Sequence, residues 1–129
     1  MTAQGIKSYR DLLVWQKAMD LVVNVYTVTK RFPKTEIYGL TSQTQRSASA
    51  VPANIAEGHG RDHLGDYLHH LSIAKGSLTE LETHLLIAGR LAYLADKELN
   101  ALLNQTAEVG RMLEGLSRSL KASRSKSAT

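Results

Sequence analysis

The chain has 129 residues, 43% hydrophobic and only 5% aromatic, enough for one ordinary domain whose core must come from Leu, Val, Ile and Ala. It contains no cysteine, which excludes disulfides and thiolate metal sites and fits the reducing cytoplasm, where the protein is expected. Its net charge of +4 is unevenly placed, with basic ends (residues 1–34 and the tail after Ser117) around an acidic middle, so a high pI is weak evidence for a nucleic-acid-binding body.

Residues 1–8 lack the apolar core of a secretory leader and are expected to be flexible. No apolar run reaches the ~18 residues that would cross a bilayer, so no membrane association is expected. Asp11 suits the start of a first long helix, because the helix dipole favours a carboxylate there. Trp15, Ala18, Val22, Val25, Thr29 and Phe32 recur at steps of three and four, and Leu12, Met19 and Tyr26 widen that stripe. Pro33 ends the helix. Lys30, Arg31 and Lys34 form a basic corner around it.

A second helix is predicted from about Thr35–Glu36, with Leu40, Val51 and Ile55 on its apolar side and Gly58 and Gly60 releasing it. Pro52 stands in its middle, where proline removes a backbone donor and costs roughly 3 kcal/mol. A break there would make Val51 the N-cap, and valine has no side-chain oxygen to serve the free amides. One helix kinked at Pro52 is therefore expected. Its small residues, Ser47 to Ala50, Ala53 and Ala56, allow close approach of a neighbour. At about 100° per residue, Arg46, Ala50, Asn54 and Glu57 share one stripe, a candidate interface or structural polar network.

The third helix has the most regular pattern: Leu64, Leu68, Leu71, Ala74, Leu78, Leu81, Leu85 and Ala88. Gly65 and Gly76 weaken it, a loss recoverable where a neighbouring backbone packs close. Glu80 and Glu82 cannot face the same way, being two residues apart; one is a candidate partner contact. Asp96 is a good N-cap for a fourth helix, whose seam runs through Leu99, Leu102, Thr106, Val109, Leu113, Leu116 and Leu120. Residues 121–129 offer nothing to bury and are expected to be a basic, disordered tail. The prediction is all-α: one domain over 9–120, an antiparallel up-down-up-down four-helix bundle.

The Val51-Pro52-Ala53-Asn54-Ile55-Ala56-Glu57-Gly58 run resembles the signature of a four-helix-bundle family, the proteins encoded in 23S ribosomal RNA intervening sequences. Three further pieces match that family in order. They are Tyr9 to Ala18, Phe32-Pro33 through Tyr38-Gly39-Leu40-Thr41-Ser42-Gln43, and Gly76 to Thr83. The family has no established enzymatic chemistry. The resemblance implies ring-shaped homo-oligomers, pentamers, and a related branch, the accessory variability determinants of diversity-generating retroelements, works with a reverse transcriptase and nucleic acid. Where the family more often has Arg and an aromatic residue this chain has His69 and His70, so no role is carried over to those positions.

Catalytic constellations are poorly represented. His59, His63 and His70 recur at helical spacing, but Gly60 interrupts them and no HExxH or cysteine partner supports a zinc site. Glu57 and Glu82 have a histidine two residues on, where a di-iron bundle needs three. No serine forms a specific triad pattern, and no glycine-rich phosphate loop follows a strand. The expectation is no enzyme, no cofactor and no metal. The sequence reading is an oligomeric bundle that binds RNA or a nucleic-acid-processing protein. Candidate phosphate contacts are Lys7, Arg10, Lys17, Lys30, Arg31, Lys34, Arg118, Lys121, Arg124 and Lys126. The alternative is an oligomeric scaffold with no nucleic-acid role. Surplus apolar residues favour self-association in either case: Leu13, Val14, Val23 and Val28 lie off the first seam, and Tyr67, Ile73, Leu86 and Ile87 off the third.

Overall fold

The computed structural model describes residues 6–128, with side chains to Arg124; most of the 1–8 segment and Thr129 lie outside the described residues. Four α-helices follow one another: α1 (Leu13–Thr29), α2 (Leu40–His59), α3 (Leu64–Arg90) and α4 (Asp96–Ala128). There is no strand among the described residues. No helix among them is long and apolar enough to cross a membrane. Helical backbone in α4 continues to Ala128, beyond the end expected near Leu120.

Entry into α1 differs from the expected cap. Asp11 closes a short 3-10 turn, Tyr9–Asp11, in a capping box with Ser8, and α1 starts only at Leu13 after an extended Leu12. Amide donors of Lys7 and Ser8 hold the Asp11 carboxyl below the usual carboxylate range. Another 3-10 turn, Lys34–Glu36, precedes α2, which therefore begins at Leu40. Asp96 is the first residue of α4 and not its cap; Glu98 Oε1 instead accepts from the Ala95 amide at 3.3 Å.

α2 is one continuous helix through Pro52, which is buried. Gly60 follows its end, as expected, but Gly58 has a different task. A methyl group at Gly58 would lie 2.8 Å from His70 Cβ and 3.2 Å from the Tyr67 carbonyl oxygen. Glycine here sets how closely α2 meets α3. Gly65 and Gly76 show the opposite: an added methyl would meet nothing within 4 Å, so no neighbouring backbone repays their cost in α3.

The core joins all four helices, with Leu21, Val25, Val51, Ile55, Leu71, Leu81, Leu85, Val109 and Leu113 almost fully buried. The α3 seam is buried from Leu71 to Ala88 as its spacing predicts. The α1 face is rotated. Its buried residues are Val14, Ala18, Leu21, Val25, Val28 and Thr29, followed by Phe32, while Trp15 and Val22 stay half-buried. The cause lies in α4. Lys17, Asn24 and Arg31, seven residues apart, pair with Glu108, Gln105 and Glu98, and Val14, Leu21 and Val28 sit just inside that contact edge. Val14 and Val28 thus belong to the core instead of a surplus surface. Leu13, Met19, Val23 and Tyr26 remain exposed on α1, as do Ile73, Leu86 and Ile87 on α3.

Candidate functional site

Two features stand out once the helices are placed: a polar seam between α2 and α3, and a cationic corner where α1 hands over to α2. The seam starts from the close approach at Gly58. Polar side chains drawn into such contact must find partners. Asn54 Nδ2 donates to the Ala50 carbonyl at 2.9 Å, which leaves Oδ1 to accept from His70 Nδ1 at 3.1 Å. His70 Nε2 stands 4.0 Å from Glu57 Oε1, and Arg61 donates to the same carboxylate oxygen at 2.8 Å. Further along, the Ser47 hydroxyl donates to the Thr44 carbonyl and accepts from His84 Nδ1 at 3.3 Å, a tautomer assigned from that network. His84 is buried.

The stripe foreseen on α2 is therefore divided. Asn54 and Glu57 join through His70 and Arg61. Arg46, Glu80 and Glu82 are exposed and make no ion pair among the described residues. Spacing within one helix did not reveal His70 or His84, since both are recruited across the helix pair. The histidines of the sequence pattern are dispersed: His59 packs edge-on against Tyr67, His63 precedes α3, and His70 turns to Asn54. Among the described residues no three potential ligands cluster.

The cationic corner is built by Pro33. Its extended backbone (φ −54°, ψ 142°) stands between the end of α1 and the Lys34–Glu36 turn that precedes α2. The result is a cleft of about 440 Å³ whose lining includes Lys30, Lys34, Tyr38, Thr41, Ser42 and Gln45. Tyr38 is 95% exposed, and Ile37 beside it is 56% exposed. Glu36, the nearest carboxylate in sequence, is turned elsewhere. Its Oε1 accepts from the Leu40 amide at 3.2 Å and its Oε2 from the Tyr93 hydroxyl at 3.0 Å, which pushes the Tyr93 phenol above its ordinary range. A methyl at Gly39 would stand 2.9 Å from that Oε1, so the bare α-carbon leaves room for the fold-back.

The remaining candidate cations are scattered. Lys17 pairs with Glu108 and Arg31 with Glu98, both on α4. Arg10 lies over the Tyr9 ring, 5.9 Å from its centroid, and Lys7 is exposed near the first turn. Arg118, Lys121 and Arg124 are exposed on the last turns of α4, and the side chain of Lys126 lies outside those described. Among the described residues, Lys30 and Lys34 line one cleft together, and no carboxylate is in its lining. Tyr38 was missed from sequence because nothing in its spacing separates a free ring from a packed one.

A family model for the 23S rRNA-intervening sequence protein matches residues 10–115. The chain belongs to that family. A solved structure with the same fold is a protein of unknown function from the S23 ribosomal protein family of Bacteroides thetaiotaomicron. It is 22% identical, with a TM-score of 0.76 over 81% of this chain and 98% of that one. No curated protein matches the sequence.

Proposed function

We propose that this member of the 23S rRNA-intervening sequence family is a non-catalytic assembly module. In this reading it associates with copies of itself, five in the ring that the resemblance implies, and engages RNA or a ribonucleoprotein partner. The observation that carries it is the apolar surface left over after the core is complete. Val23 and Leu13 are 60% and 59% exposed, Met19 and Tyr26 stand one turn either side of Val23, and Ile73, Leu86 and Ile87 stand out from α3. Met19, Val23 and Tyr26 recur along one face of α1, and an apolar stripe outside a finished core usually marks a partner surface.

Light scattering at micromolar concentration is expected to give a mass several times 14.2 kDa. Val23 is 60% exposed on that surface, so Val23→Glu should break the oligomer while circular dichroism keeps its helical signal. A strictly monomeric wild-type mass at every concentration would defeat the assembly reading.

The RNA half rests on Lys30 and Lys34, which line a cleft without a carboxylate. The scaffold reading has its own support: Lys17 and Arg31 are already paired within the chain, which reduces the charge open to phosphates. A salt-titrated RNA-binding assay on the full chain, and on one cut after Ala122, separates the two. Binding whose salt slope flattens on truncation assigns contacts to Arg124 and Lys126; an unchanged slope assigns them to the helical body.

A further inference from the structure

We propose that the cleft between the end of α1 and the start of α2 binds a segment of single-stranded RNA, with Lys30 and Lys34 on phosphate and the Tyr38 ring stacked on a base. This rests on the RNA half of the reading above and gives it an address. Three observations meet at this place. Two lysines line one concavity, and neither forms an ion pair among the described residues. The carboxylate that would neutralise them, Glu36, is folded back onto the Leu40 amide and the Tyr93 hydroxyl. An aromatic ring stands 95% exposed at the rim.

Each feature matches a part of a nucleotide. Lysine holds phosphate as a point charge without demanding a fixed fork geometry. A ring so exposed is covered on neither face by its own chain, so a base can lie against it. Stacking of that kind needs bases already out of a duplex, which selects a single strand or a loop. The hydroxyls of Thr41 and Ser42 have no partner among the described residues, and Gln45 commits its Nε2 to Thr29 Oγ1 at 3.0 Å. Its amide oxygen and the two hydroxyls supply acceptors and donors for a ribose 2′-OH or a base edge. The volume, about 440 Å³, lies in the ordinary range of ligand clefts.

The competing occupant is a second copy of this chain, since Ile37 and Tyr38 also offer apolar surface. The carboxylate-free pair of lysines favours a polyanion over a protein of the same composition.

The test is fluorescence anisotropy with a labelled twelve-nucleotide oligouridine and a duplex RNA of equal length, on the full chain, with light scattering of every variant. Tyr38→Ala is expected to weaken single-strand binding by about five- to a hundredfold, the span typical for one stacked base, while Tyr38→Phe stays near wild type. Lys30→Ala with Lys34→Ala is expected to reduce the salt slope by about 1.4, at roughly 0.7 per phosphate contact on a single strand. Wild-type binding that survives all these variants unchanged overturns the site but leaves the RNA reading standing. Absence of wild-type binding to the oligouridine and to the duplex alike overturns both. A duplex bound as well as the single strand removes the stacking role and overturns the proposal. A change of oligomeric mass in Tyr38→Ala makes the cleft an interface between copies and overturns it too.

Discussion

Between α2 and α3 the backbones come so close that a methyl group at Gly58 would collide with His70, whereas α1 and α4 meet along a rim of exposed side chains. The first flank takes polar groups partly out of water and has to pair them, as in Ser47–His84 and Asn54–His70. The second keeps its large apolar residues inside and places Lys17–Glu108, Asn24–Gln105 and Arg31–Glu98 outside. The contrast shows where one helix pairing is selected over another. An unpaired polar group between α2 and α3 costs its desolvation, while a broken pair at the rim returns both partners to solvent.

The strongest way to break the comparison is to widen the tight flank. Gly58→Ala should destabilise the protein by about 1–3 kcal/mol, and Gly58→Val by more, measured by urea denaturation. A neutral Gly58→Ala would show that α2 and α3 separate easily, and the close approach would lose its significance.

Next comes Ser47→Ala, which leaves His84 Nδ1 without its acceptor inside the helix pair. The expected loss is about 1–3 kcal/mol. In a double-mutant cycle with His84→Leu the two sites should couple by about 0.5 kcal/mol or more, since each removes the other's partner. Additive effects would mean that the pair contributes no specificity.

The rim should respond weakly. Lys17→Met is expected to change stability by no more than about 1 kcal/mol, and high salt should erase what effect there is. A larger loss would place the α1–α4 flank on the same footing as α2–α3.

The smallest effect is one of pH. The Arg31 side-chain hydrogen bond, then the Ala95 amide, holds the Glu98 carboxyl below its ordinary value of 4.5. A carboxyl depressed in the folded state contributes stability that is fully present above its unfolded pKa and is lost as pH falls through the folded one. An NMR titration should find Glu98 below 4.5, rising toward that value in Arg31→Gln. An unmoved titration would remove Arg31 as the cause.

Much of this molecule was legible in the sequence because helical periodicity is a local property. The seams of α3 and α4 and the passage of α2 through Pro52 follow from residues within a few turns of each other, and α1 ends at Thr29, one turn ahead of Pro33. The family signature was carried by the same local runs and matches residues 10–115. Tertiary structure decided everything that depended on which face met which neighbour. It rotated the α1 seam toward Leu21 and Val28, because α4 lies along the Lys17, Asn24 and Arg31 edge. It gave Gly58 a packing role and left Gly65 and Gly76 without one. It drew His70 and His84 into pairs across the tight α2–α3 contact, turned Glu36 away from Lys30 and Lys34, and left Tyr38 standing free. A periodic pattern states that a side has been chosen, but the partner that fills it comes from elsewhere in the chain, so burial and charge pairing emerge only when the helices are assembled.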